Sequence, residues 1–135
     1  MARDGTDAGL KSAFMSGLFW SVKRGKDITL PVAPHSRTWM SSVETVARNF
    51  IHAAKLPEIG PNRAFTLPAL SPTFGELVES LKRRFPESNS RVAFAPDPGA
   101  IGLFGAYPRL DTPTADRLGF QRDADVDSLV VTALS

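Results

Sequence analysis

The order of helical and extended stretches in this sequence predicts a small α+β fold, with several helices and few, short strands. Two observations carry that prediction. Apolar residues recur at helical spacing in well-separated segments, and the extended segments between them are brief and bounded by proline. A complete doubly wound sheet would need several more βα units than 135 residues can hold, so the sheet is expected to be partial.

The first helix is expected from Leu10 to Val22, where Leu10, Phe14, Gly17, Leu18, Phe19 and Val22 fall on one face and Gly25 closes the segment behind two basic residues. Asp27 to Val32 follows as a short strand with Ile28, Leu30 and Val32 alternating, and Pro31 places it at an edge. A loop through Pro34, His35, Ser36 and Arg37 leads to Trp39 and Met40. A second helix then starts behind Ser42 as N-cap, with Glu44 in its first turn and Val43, Val46, Ala47, Phe50, Ile51 and Ala54 as its apolar face. Past the turn signal Pro57 to Asn62, Ala64 to Leu67 reads as a strand ended by Pro68.

Thr73 and Glu76 have the spacing of a capping box. They open a third helix carrying Phe74, Leu77, Val78 and Leu81, which Pro86 stops. Arg91 to Ala95 alternates as another strand, with Val92 and Phe94 on one side. The glycine-rich stretch to Pro108 reads as a loose helix, and short helices at Thr114 to Leu118 and Val126 to Ala133 close the chain.

Composition narrows the function classes. An apolar fraction of 42% supports one modest core, so residues 1–135 are expected to form a single domain. The absence of cysteine removes disulfides, cysteine-based zinc sites and thiol catalysis, and points to the cytoplasm. Arg3, Asp4 and Asp7 at the start do not read as a signal peptide, and no apolar run is long enough for a membrane span. The net charge of +2 is small, and no nucleic-acid partner is expected. The clusters Lys23, Arg24, Lys26 and Lys82, Arg83, Arg84 complement helix C-termini; the alternative is a phosphate-binding patch.

Several chemistries can be weighed from spacing. Gly99, Gly102 and Gly105 give G-x-x-G-x-x-G, but Pro96 and Pro98 precede them and Pro108 and Pro113 follow, which breaks the strand, turn and helix that a dinucleotide fingerprint requires. Tyr107 is the one tyrosine, and Asp111, four residues on, would raise a phenol's pKa rather than lower it, so no catalytic residue is assigned. His35 in a polar loop and His52 at a core edge are the only histidines, too few for a metal site, and no serine sits in a nucleophile-elbow pattern. The strongest signal is Ser36-Arg37-Thr38-Trp39. A loop arginine beside hydroxyls and an indole can grip a carboxylate or phosphate in a two-pronged contact; the alternative is a surface arginine stacked on Trp39.

At these residues a family resemblance enters. Gly17-Leu-Phe-Trp-Ser-Val-Lys-Arg-Gly-Lys-Asp-Ile-Thr-Leu-Pro-Val, then Ser36-Arg-Thr-Trp and the helix from Val43 to Ala54, resembles the region after the Rossmann core of NAD-dependent epimerase/dehydratase proteins, the extended short-chain dehydrogenases. The closing segments Tyr107-Pro-Arg, Ala115-Asp-Arg-Leu-Gly-Phe and Asp123-Ala-Asp-Val-Asp are similar to the group that includes the D-erythronate dehydrogenases. Arg3-Asp-Gly matches the position where the family's Arg-Pro-Gly ends a core strand, with Asp4 in place of the proline. Ala8 stands where asparagine is common, and Thr38 and Met40 where histidines flank the tryptophan.

The resemblance implies a C-terminal substrate-binding lid, truncated from a two-domain enzyme whose missing Rossmann core carries NAD or NADP and the Tyr-Lys pair. No cofactor is expected on this chain itself. It implies a small anionic sugar acid or sugar phosphate as substrate, with Arg37, Trp39, Ser36 and Arg109 as the contacting residues. The expected function is the substrate-binding part of a sugar-acid dehydrogenase or nucleotide-sugar epimerase/dehydratase that is inactive alone. The alternative is a non-catalytic interaction module that keeps the lid fold. The expected partner is the missing Rossmann half, or failing that a second copy through self-association.

Overall fold

A computed structural model describes residues 12–61 and 63–135. Leu10, the Arg3-Asp-Gly match, Asp4, Asp7, Ala8 and Asn62 lie outside the described residues. Among the described residues the order is α1 (Ala13–Lys23), β1 (Ile28–Leu30), α2 (Val43–Lys55), α3 (Phe74–Arg84), β2 (Val92–Phe94), α4 (Pro98–Phe104), α5 (Pro113–Arg117) and α6 (Val126–Ala133). This is the expected α+β arrangement of several helices and few strands.

β1 and β2 pair in parallel, Ile28 with Val92, Thr29 with Ala93 and Leu30 with Phe94. Parallel neighbours need a crossover, and α2 and α3 lie within it. With two strands, each is an edge, which is where Pro31 fits. The core joins α1, α3 and α6 on this pair: Leu18, Val22, Leu30, Leu77, Leu81 and Val130 are essentially inaccessible to solvent.

Sequence signals explain most boundaries. α1 ends because Gly25 takes a positive φ of 67°, a region other residues enter at a cost, and its amide donates to Val22 O at 3.2 Å. α3 begins at a reciprocal cap: Thr73 Oγ1 accepts from the Glu76 amide, while Glu76 Oε2 accepts from the Thr73 amide at 2.7 Å. The basic residues Lys23 and Lys82, Arg83, Arg84 occupy the last turns of α1 and α3, where they face the negative ends of the helix dipoles. α4 is a short helix with Pro98 at its start and the Asp97 side chain accepting from the Ala100 amide.

One expectation is corrected. Ala64 to Leu67 forms no strand; the ladder contact falls just past Pro68, where Leu70 bridges Met40 with reciprocal amide bonds of 3.0 Å. Phe65 is instead held by its ring, 5.4 Å from Phe120.

α2 forms over the expected residues, and its apolar face is turned outward. Val43, Phe50 and Ile51 are 61%, 67% and 56% exposed, and Thr45 and Asn49 are the buried positions. The cause is a polar seam. Asp123, itself buried, accepts from Ser42 N at 2.9 Å, Ser42 Oγ at 2.6 Å and Thr45 Oγ1 at 2.9 Å. One turn along, Asn49 donates Nδ2 to Gln121 O at 2.7 Å and accepts the Gln121 amide at 3.0 Å. At the next turn His52 Nε2 meets Leu118 O at 2.7 Å, and its ring stands edge-on to Phe120. Positions 45, 49 and 52 share one helix face, and the apolar stripe lies about 180° round the axis from it. Buried polar groups that find fixed partners are stable, so the polar stripe can occupy the inner side.

Candidate functional site

The segment after β1 is threaded between two others by its backbone. Ser36 O accepts from the Phe74 amide at 2.9 Å and the Thr38 amide donates to Pro72 O at 3.1 Å, which ties it to the start of α3. On its other side the Arg37 amide donates to Gly105 O at 2.8 Å, and Arg37 O accepts from the Tyr107 amide at 3.2 Å. Arg37 thus bridges Thr73 on one flank and Ala106 on the other, and its Cα is fixed from both sides.

The close approach needs Gly105. A Cβ there would stand 2.9 Å from Ser36 Cβ and 3.3 Å from Val32 Cγ1, inside contact distance. Gly99 and Gly102 lie inside α4 and Gly105 at its C-cap, so these glycines do not form a strand-to-helix turn.

Arg37 lines a hollow of about 280 Å³ together with Ser71, Glu76, Arg109 and Arg122. Three guanidiniums from distant parts of the chain therefore border one open space, with one carboxylate that is already engaged in the α3 cap. Arg37 Nη1 donates to Ser71 O, an anchor that orients the planar group and leaves its other donors for a ligand. Arg122 Nη2 is held by Asp116, at 3.1 and 3.3 Å from its two carboxylate oxygens. Arg109 is exposed at the rim, and the neighbouring Leu110 amide donates to Ser71 Oγ at 3.1 Å. Such a set can neutralise and orient a small carboxylate or phosphate.

Of the four residues singled out from sequence, Arg37 and Arg109 meet in this hollow. Trp39 lies outside its lining and borders an apolar groove of about 230 Å³ with Met15, Phe19, Met40 and Val43. Its ring packs on Tyr107 at 5.1 Å rather than on Arg37, and its Nε1 donates to Pro108 O at 2.8 Å. That bond pins the residue before Arg109, so Trp39 contributes to the hollow through the backbone it holds. Ser36 is buried, and its hydroxyl accepts from the Ala33 amide at 3.1 Å within the turn.

Arg122, which also lines the hollow, carries no signal in the sequence. It sits far from Arg37 in sequence, and nothing local distinguishes it from other surface arginines. Tyr107 donates its hydroxyl to Leu103 O at 2.9 Å and packs on Trp39, while His35 is exposed in its loop. Among the described residues no group of histidines and carboxylates is placed to hold a metal ion, and no helix is long and apolar enough to cross a membrane.

Comparisons with known proteins give a partial match. No family model matches the chain. The chain is 31% identical over 124 residues to the D-erythronate dehydrogenase of Haemophilus influenzae, an alignment covering 88% of this chain and 39% of that protein. It is 27% identical over 132 residues to the D-erythronate dehydrogenase of Cupriavidus necator, covering 95% of this chain and 41% of the relative. It therefore spans about two fifths of the length of these curated relatives.

Among solved structures, a nucleoside-diphosphate-sugar epimerase from Agrobacterium tumefaciens superposes with a TM-score of 0.80 at 26% identity, over 96% of this chain and 39% of the other. The L-threonine dehydrogenase of Phytophthora infestans has the same fold over 98% of this chain and 43% of its own, with a TM-score of 0.78 at 20% identity.

Proposed function

We propose, from the premise that this chain is related to one part of the D-erythronate dehydrogenases and shares the fold of the matching part of a sugar epimerase, that it is the C-terminal substrate-binding region of an NAD-dependent sugar-acid dehydrogenase or nucleotide-sugar epimerase/dehydratase. Residues 1–135 form one domain of a two-domain enzyme, and the substrate is a small anionic sugar acid or sugar phosphate. The observation that carries this reading is the shared hollow of Arg37 and Arg109.

The chemistry assigned to these residues is recognition. Arg37, anchored on Ser71 O, presents a planar fork to the ligand's anion. Arg109 lines the same hollow beside the Pro108 carbonyl that Trp39 holds, and Arg122 borders it while paired with Asp116. Ser36 shapes the loop from inside. Among the described residues the three glycines lie in and at the end of α4, which is not a strand-to-helix dinucleotide turn, and Tyr107 bonds to Leu103 O with Asp111 four residues on. The chain's expected contribution is binding and orientation of substrate.

A titration followed by NMR tests this on the full chain. Adding D-erythronate should shift the side-chain Nε–H signals of Arg37 and Arg109 together, with one saturation curve for both. Shifts spread evenly over all exposed arginines, such as Arg83 and Arg91, would refute a specific site.

A further inference from the structure

We propose that the outward stripe of α2, Val43, Ala47, Phe50, Ile51 and Ala54, is the surface on which the portion of the enzyme without counterpart in this chain docks. The inference rests on the functional reading above, and it adds the surface that joins the two parts. Phe50 and Ile51 are 67% and 56% exposed although the helix is otherwise well anchored. The inner side of α2 is committed to Asp123, Gln121 and Leu118 by hydrogen bonds, so the helix cannot roll to bury its apolar side without stranding those groups.

The occupant follows from length and area. The solved structures that share this fold extend over more than twice as much chain, since the match covers 39% and 43% of theirs. A helix of thirteen residues is about 20 Å long, and a stripe on it falls short of the roughly 800 Å² per partner of a stable association, which disfavours a second copy. Within one polypeptide an interface of about 600–1,500 Å² is ordinary. The stripe meets, at Val43, the apolar groove bordered by Phe19, Trp39 and Met40. At its margin, Glu44 and Arg48 pair at 3.2 Å and give the docking face a polar rim. The partner surface is accordingly apolar and rimmed by charge.

The chain has no cysteine, so a single introduced thiol reports on coverage. Ala47→Cys and, as a control on α3, Glu79→Cys are labelled in the free chain. They are labelled again in a chimera in which this chain replaces the matching region of the Haemophilus influenzae D-erythronate dehydrogenase, with each modified peptide identified by mass. Labelling of Ala47→Cys should slow by about tenfold or more in the chimera, and adding Phe50→Asp should restore it, while Glu79→Cys is unaffected.

Equal labelling of Ala47→Cys in both settings overturns the proposal, as does a chimera that fails to unfold as a cooperative unit. A free chain that sediments as a dimer with Ala47→Cys protected overturns the choice of occupant. Protection of Ala47→Cys without any sugar-acid binding would refute the functional reading alone; binding without protection would refute the docking surface alone.

Discussion

Asp123 holds the start of α2 to the closing segment, and removing it should be among the costliest changes in the chain outside the apolar core. Its carboxylate accepts from the Ser42 amide and from the hydroxyls of Ser42 and Thr45, all in a buried position. In Asp123→Ala the Ser42 amide loses its partner, which costs about 1–3 kcal/mol for a stranded donor. The Ser42 hydroxyl, which also accepts from the Thr45 amide as N-cap, loses the bond that orients it, for about another 1 kcal/mol. The expected loss is on the order of 2–4 kcal/mol, moderated by water entering the adjoining polar hollow of about 260 Å³. Asp123→Asn keeps the shape and one acceptor, so it should cost about half as much. Urea unfolding of the three proteins measures this, and coupling with Ser42→Ala in a double-mutant cycle should be clear. If Asp123→Ala unfolds within about 0.5 kcal/mol of the parent, the polar seam does not hold α2.

Three further outcomes are expected. Asp127 has its pKa lowered from the usual 3.8 first by the hydrogen bond from Ser80 and then by Arg83, and Asp125 has its own lowered by bonds from Ser128 at the α6 cap. Both contribute stability that is present above 3.8 and lost as pH falls through their lower folded values. The stability difference between parent and Asp127→Asn should therefore shrink below that range, and a pH-independent difference in urea midpoint would contradict the assignment. Gly105→Ala should destabilise by about 1–3 kcal/mol and alter the near-ultraviolet signal of the Trp39–Tyr107 pair, because its Cβ would press on Ser36. Phe50→Asp should leave the free chain's stability nearly unchanged, whereas Leu77→Ala, fully buried in α3, should cost about 2–5 kcal/mol in thermal or urea unfolding.

These contrasts mark what sequence made legible. The capping box at Thr73 and Glu76, the stop before Pro86 and the span of α6 are local signals with local causes, and each appears where expected. The orientation of α2 was not legible, because apolar periodicity identifies a helix and its stripe but does not say what covers the stripe. The polar partners of Thr45, Asn49 and His52 come from residues 118–123, beyond the reach of any local pattern. Ala64 to Leu67 has strand-like composition, yet a strand needs a neighbour, and the contact with Met40 falls on Leu70 instead. A loop arginine among hydroxyls makes Arg37 stand out in the sequence, and the structure places it on the lining of the hollow. Its meeting with Arg109 was expected only through the family resemblance, and Arg122 was supplied by the tertiary fold alone.

The most direct test is the affinity for D-erythronate of the chimera, measured with Arg37 and Arg109 changed singly and together to lysine. Lysine keeps the charge but not the fork, so each single change should weaken binding by on the order of 1.5–3 kcal/mol, roughly ten- to a hundredfold, with cooperative unfolding preserved. The double variant should lose less than the sum, the pattern expected of two groups that share one ligand. Unchanged affinity in both single variants would contradict the assignment of this chain as a substrate-binding region built around Arg37.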